Sequence, residues 1–363
     1  MPFPARVLFV SVLLVGSGIT SRAGDDAATL QSERRPLVRV IATGGTISNR
    51  TGGRLTADEL VALIPNLERH ARVDTEQFSN LASSELSLDH WLKLGRRINQ
   101  VFAADSRLAG VVVTSGTDTL EELAFFLHLT VRDLRPVVVV GSMRNPSTLG
   151  YEGAANLLAG IRVAADPASR GLGTLVVLND EIHSAREATK TDAFRLDTFD
   201  ARRYGMLGVV DSDRVTYYRR TLRRHTTNSE FDISSVSQLP RVDVLLAYQG
   251  APGDLIRAAA DNGATGIVMA AAGAGATSGT QGEGVRDVLD RGVTVVVSSR
   301  TGGGRVAPVR TGQEAHQPTR SGGSAKSTVA GEDLAPVKAR ILLMLALTKT
   351  RDQAEIQRMF SEY

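Results

Sequence analysis

The chain has 363 residues, 42% of them hydrophobic, with 42 Lys and Arg against 39 Asp and Glu. That length and apolar content suit two domains with buried cores, and no basic run interleaved with aromatics marks a nucleic-acid footprint. Cysteine is absent and the six histidines are dispersed without a pair at ligand spacing, so neither a disulfide framework nor a metal site is expected.

The first segment, "MPFPARVLFVSVLLVGSGITSRAGDD", carries Arg6, then an apolar stretch from Val7 to about Gly16, then small residues at Ser21 and Ala23. A membrane-spanning helix needs roughly 20 apolar residues, and this stretch is shorter. The pattern predicts a cleaved signal peptide over 1–23, with a buried N-terminal helix as the other reading. A periplasmic or secreted location follows as an expectation. No second apolar stretch is long and uninterrupted enough to anchor the mature chain, so no membrane contact is expected after cleavage.

Strand and helix patterns then alternate. "LVRVIAT", "LAGVVVT", "RPVVVVG" and "LGTLVVL" are continuous apolar runs, as strands buried on both faces require. Between them lie "DHWLKLGRRINQVFAAD" and "TLEELAFFLHLTV", which read as helices. The expected class is α/β in two domains: a larger N-terminal, doubly wound parallel-sheet domain over 36–218 and a smaller C-terminal α/β domain over 242–363. The polar stretch 219–241, ending near Pro240, reads as the linker. The second domain contributes "VDVLLAYQ", "GIVMAAAG", "GVTVVVSS" and a last helix around "VKARILLMLALT". Residues 300–327, rich in Gly, Arg and Ser, read as a surface loop.

Ligands of open parallel sheets bind beyond the carboxyl ends of the strands. Three polar groups fall there: Thr46 after Gly44-Gly45, the run Thr114-Ser115-Gly116-Thr117-Asp118-Thr119, and Thr189-Lys190-Thr191. Singly, each has an ordinary reading. Thr46 is a turn residue, Lys190 a solvated lysine, and Asp118 or Thr119 a helix cap with glutamate three residues on. Together they supply hydroxyls, an amine and a carboxylate at one sheet edge, the ingredients of an amide-cleaving site, because a threonine hydroxyl needs a base to take its proton.

The segments "IATGGTIS", "TSGTDTLEELAFFLHLTV", "GSMRNPSTLGYEGAANLL", "VVLNDEIHSAREATKT", "VSSRTGGGRV" and the C-terminal "KARILLMLALTKTRDQAEIQRMFSEY" resemble bacterial type II L-asparaginases and glutaminase-asparaginases, in order from about residue 36 onward. The resemblance implies hydrolysis of L-asparagine, with L-glutamine as a second substrate, by a cofactor-free homotetramer. Thr46 would be the nucleophile and form the acyl-enzyme. Thr117, Asp118 and Lys190 would form a second triad. Ser83 and Ser84 would hold the substrate's α-carboxylate and amine, Asp118 would also bind the amine, and Gly45 and Gly116 would complete the substrate site. The backbone amide of Thr117 would be an oxyanion donor.

The chain departs from the family pattern in four places. Ser115 replaces the histidine usual before Gly-Thr-Asp-Thr, and Arg50 occupies the position of a loop tyrosine. The segment "YQGAPGDL" lacks the asparagine a neighbouring subunit supplies, and Glu314, the match for a second neighbour-supplied acid, lies in a longer loop. An arginine stays protonated and cannot act as a base, so Arg50 is expected to add positive potential at the entrance.

Two other classes fit the sequence less well. A dinucleotide oxidoreductase would use Gly273 and Gly275, with Arg300 beyond the next strand, but the third glycine is misplaced and "GGGRVAP" runs into Pro308. A non-catalytic secreted amino-acid-binding protein on the same scaffold would have no use for Lys190 beside Thr46, Thr117 and Asp118.

Overall fold

The structure is a computed structural model that describes Met1, residues 35–308 and residues 327–363. The expected signal segment and Glu314 lie outside the described residues, as does most of the loop expected over 300–327. Pro36–Tyr363 form one compact unit.

An eight-stranded sheet dominates the N-terminal half. Its strands are β1 (Leu37–Gly44), β2 (Arg72–Leu81), β3 (Leu108–Thr114), β4 (Val137–Val140), β5 (Thr174–Leu178), β6 (Glu181–Ser184), β7 (Gly208–Val210) and β8 (Val215–Tyr217). They lie in the order β8-β7-β6-β5-β4-β3-β1-β2. The first five run parallel. The other three turn antiparallel, so the sheet is mixed where a parallel one was expected. The reason is local: Asn179 and Asp180 take φ of 54° and 61°, two consecutive left-handed residues that make the tight reversal a hairpin needs.

Alternate side chains of the central strands feed two cores. Ile41, Val111, Val113 and Val139 face one side, with α2 (Leu88–Ala104) and α3 (Leu120–Thr130) packed over them. Val38, Val40, Val112 and Val138 face the other, covered by α1 (Ala57–Ala62) and α4 (Gly153–Ala165). Helices on both faces explain why these strands are apolar nearly throughout.

A four-stranded parallel sheet forms the smaller domain: β9 (Val242–Leu246), β10 (Gly266–Ala271), β11 (Thr294–Ser299) and β12 (Val329–Ala330), in that order. Helices α5 (Asp254–Asp261) and α6 (Gln281–Asp290) cover one face. The other face packs on α7 (Pro336–Leu347), and α8 (Gln353–Glu362) closes the chain. Helix α7 is apolar nearly all round because it is buried from both sides: its Leu342 and Leu343 share one core with Val268 of β10 and with α3. The stretch 219–241 has few large apolar residues, yet Phe231, Ile233 and Leu239 are all buried. These three side chains join the main core, while Leu222 of the same stretch stays exposed.

Candidate active site

The carboxyl ends of β1, β2 and β3 converge, and glycine is what lets them touch. Gly44 and Gly45 take φ of 109° and 88°, a region side chains other than glycine's rarely tolerate. Gly45 N–H donates to the Leu81 carbonyl at the end of β2, at 2.8 Å. A Cβ on Gly45 would lie 2.1 Å from the Gly116 nitrogen. One on Gly116 would lie 2.8 Å from Ser83 Oγ. Thr43 Oγ1 donates to the Thr114 carbonyl at 2.7 Å and ties the last turns of β1 and β3 together. Gly116 therefore lies against both Gly45 and Ser83, with Thr46 opening the short 3-10 turn Thr46–Ser48 next to Gly45.

Thr117 and Asp118 follow at once. The Thr117 side chain is buried, whereas that of Asp118 is 75% exposed. Lys190 comes from elsewhere in the sequence, on a two-residue strand Thr189–Lys190 paired antiparallel with Phe199–Asp200. Its Nζ donates to Thr117 Oγ1 at 3.0 Å and to Asp118 Oδ1 at 2.7 Å. Neither Asp118 nor Thr119 caps α3 through its side chain; Asp118 binds the lysine instead. Ser84 is exposed next to the buried Ser83. Ser115, at the family's histidine position, is buried and donates to the Gly116 carbonyl at 3.2 Å.

Beyond Thr46 the chain forms a small hairpin, Asn49–Arg50 against Gly53–Arg54. Arg50 pairs there with Glu59 of α1 at 3.1 Å, both side chains more than two-fifths exposed. Burial is modest, so the pair adds little to stability, and a carboxylate shares the arginine's positive potential. The turn is held from the opposite side of the site. Tyr151 Oη donates to the Ile47 carbonyl at 2.8 Å, and Ser147 Oγ accepts from Thr51 N–H at 2.9 Å. Burial raises the Tyr151 phenol far above its ordinary pKa, so the hydroxyl keeps its proton and remains a donor.

A second layer lies beneath Lys190. Glu121, in the first turn of α3, accepts from Thr189 Oγ1 at 3.0 Å and from the Lys190 backbone N–H at 3.2 Å through Oε1. Its other oxygen is 3.8 Å from Nζ of Lys338, a lysine of α7 that is 2% exposed. Burial pushes the Lys338 amine down to about 8, with Glu121 opposing the shift. Arg186 pairs with Asp333 at 2.9 and 2.7 Å. Burial disfavours the Asp333 carboxylate, but the Arg186 guanidinium outweighs it and holds the group well below the usual range.

None of these supporting groups was read from the sequence as part of the site. Glu121 was visible only as part of a cap spacing. Lys338 did carry a signal, one of only two cations, with Arg340, in a helix otherwise apolar, and the one of the two that is fully buried. Among the described residues, no group of three or more His, Asp or Glu could hold a metal ion. Gly273 and Gly275 form a tight turn in which Ala272 and Ala276 bridge, ahead of α6. No described helix is long and apolar enough to cross a membrane.

Comparison with known proteins gives a consistent match. The family described as "Asparaginase, N-terminal" matches residues 37–223, and "Glutaminase/Asparaginase C-terminal domain" matches 241–360. The chain is 39% identical to the L-asparaginase 2 of Bacillus subtilis, over 98% of each protein. It is 36% identical to the glutaminase-asparaginase of Pseudomonas fluorescens, over 90% of each. Among solved structures, the probable cytoplasmic L-asparaginase of Campylobacter jejuni superposes with a TM-score of 0.83 at 35% identity, covering 91% of this chain and 100% of that one.

Proposed function

The chain belongs to the asparaginase family, and from that premise we propose that it hydrolyses the side-chain amide of L-asparagine to L-aspartate and ammonia. One observation carries the reading: Lys190 Nζ bonds both Thr117 Oγ1 and Asp118 Oδ1 at the sheet edge where the Gly45–Thr46 turn touches Gly116.

In the proposed sequence, Thr46 Oγ1 attacks the amide carbon and the C–N bond breaks. The hydroxyl's proton leaves with the nitrogen as ammonia, and the substrate acid stays esterified to Thr46. Water, deprotonated through Thr117 and Lys190, then cleaves the ester, releases aspartate and restores the threonine. The Thr117 amide is the oxyanion donor, a contribution worth on the order of 3 kcal/mol in comparable sites. Ser83, Ser84 and the free oxygen of Asp118 take the substrate's α-carboxylate and amine, while Gly45 and Gly116 allow the close approach.

Glutamine is the second substrate of this reading, since one methylene is worth only about 1–3 kcal/mol in a pocket. The working form is a homotetramer that needs no cofactor. It is exported after removal of residues 1–23, and the two catalytic-domain segments are 36–218 and 242–363. Ammonia release from asparagine and from glutamine, measured on the mature protein, tests the activity. Release from neither amide, or a Thr46→Ala variant that still turns over, would overturn it.

A further inference from the structure

A lysine that joins a triad from a distant segment must be held in register with its partners, and its own side chain cannot do this. Lys190 Nζ can reach Thr117 and Asp118 only if its backbone is fixed relative to the turn that carries them. Glu121 stands in the first turn of α3, three residues past Asp118. Its Oε1 accepts the Lys190 backbone N–H and the hydroxyl of Thr189. One carboxylate thereby fastens the lysine's backbone to the turn that bears its two partners.

That carboxylate is only 12% exposed at its side chain and has to be balanced. The balance comes from the smaller domain. Lys338 Nζ donates to the Arg186 carbonyl at 3.0 Å and to the Ala188 carbonyl, and lies beside Glu121 Oε2. Two of its protons therefore bond carbonyls of the stretch leading into Lys190, while Glu121 Oε2, at 3.8 Å, is near enough to balance its charge but not to accept a hydrogen bond. Arg186 is clamped in turn by Asp333.

We propose that Glu121 is a positioning residue of the reaction, which sets Lys190 in register with Thr117 and Asp118 through the 189–190 backbone, while Lys338 balances its buried charge. The proposal rests on the hydrolase reading above, in which Lys190 moves the proton.

The test compares two double variants of the full chain, each of which removes both buried charges at once. Glu121→Gln with Lys338→Met keeps an acceptor oxygen for Lys190 N–H. Glu121→Leu with Lys338→Met keeps the volume but loses the acceptor. Ammonia release should give the Gln/Met enzyme a kcat within tenfold of the parent. The Leu/Met enzyme should fall at least a further 30-fold, with KM unchanged within threefold. In parallel, Lys190 acetylation by acetic anhydride, followed by mass spectrometry, should be at least threefold faster in Leu/Met than in Gln/Met. Equal kcat values and equal acetylation rates in the two variants would overturn the inference. If neither double variant folds in a thermal melt, Glu121→Gln against Glu121→Leu gives the same contrast. A parent that releases no ammonia refutes the hydrolase reading instead, and the acetylation contrast then still decides whether Glu121 holds the lysine.

Discussion

Lys190→Met is the perturbation that bears most directly on the chemistry. Methionine keeps most of the length of the side chain, which is 17% exposed, but removes both hydrogen bonds of the ammonium. The structural cost should be small. Asp118 is left with its carboxylate 75% in solvent, so it is rehydrated rather than stranded. Only the Thr117 hydroxyl, which is buried, loses a partner, at about 1 kcal/mol. The catalytic cost should be much larger. A positioned general acid or base contributes about 10²–10⁴-fold, and at 1.36 kcal/mol per tenfold this is about 2.7–5.4 kcal/mol of barrier. Steady-state ammonia release and a denaturant melt on the same preparation separate the two quantities. We expect kcat to fall by at least 100-fold while the folding free energy changes by about 1 kcal/mol. A folded variant with kcat within tenfold of the parent would refute the assignment of Lys190 as proton carrier.

Gly45→Ala should be far worse than Gly116→Ala. The first forces a Cβ to 2.1 Å from backbone at φ of 88°, whereas the second meets the end of the Ser83 side chain at 2.8 Å. The first should abolish activity and lower the melting temperature, the second should mainly raise KM, and the reverse order would contradict the glycine contact. Tyr151→Phe keeps the ring but strands the Ile47 carbonyl; a loss of about 1 kcal/mol in denaturant melts and a fall in kcat of no more than about tenfold are expected, and a variant as dead as Thr46→Ala would show a direct chemical role for the phenol. Burial first, and then neighbouring His225, hold His128 well below its ordinary 6.5, so it stays neutral in the fold while the unfolded chain takes up a proton as pH drops below 6.5. Its contribution is thus fully present above that value and lost on acidification, by up to about 1.4 kcal/mol per pH unit. Since His128 Nδ1 accepts from Thr174 N–H, His128→Asn should keep an acceptor and flatten the fall in melting temperature between pH 7 and 5; an unchanged slope would place the titration elsewhere.

The strands that could be read from sequence were those whose environment made them uniform. β1, β3, β4 and β5 are covered on both faces, and their residues announce it by being apolar nearly throughout, Arg39 of β1 being the charged exception. β2 escaped because it is an edge strand. "RVDTEQFSNL" is partly solvated along its length and has no continuous apolar run. Its register is set by pairing with β1, which no local pattern encodes. Asn179-Asp180 is a hairpin signal, but it stands at the end of a series of buried parallel strands whose apolar pattern alone implies another crossover. The site divides in the same way. Thr46, Thr117 and Asp118 stand immediately beyond apolar strands, and their hydroxyls and carboxylate mark the sheet edge. Tyr151, Glu121 and Lys338 look like ordinary residues of a loop or helix until the chain is folded. What gives them significance is a partner in a remote segment.

That division has a physical consequence for how the two domains depend on each other. The stretch 185–190 lies in the larger domain, yet much of what fixes it comes from the C-terminal half. Asp333 holds the Arg186 side chain, Lys338 takes the Arg186 and Ala188 carbonyls, and the Tyr363 carbonyl accepts from Arg186 Nε. Helix α7 shares its core with α3, which in turn carries Glu121 at its start. Loosening the smaller domain would therefore release Lys190 before it disturbed Thr46, which is held by β1, Gly116 and Tyr151. Mild destabilisation of the interface should consequently impair the Lys190-dependent step while the nucleophile's turn remains formed. The Arg186–Asp333 clamp suits this arrangement, because a carboxylate held far below its usual range stays ionised in mild acid, where the histidines of the unfolded chain already take up protons. Mild acid should thus lower the folding free energy through His128 and leave the clamp on the lysine segment closed.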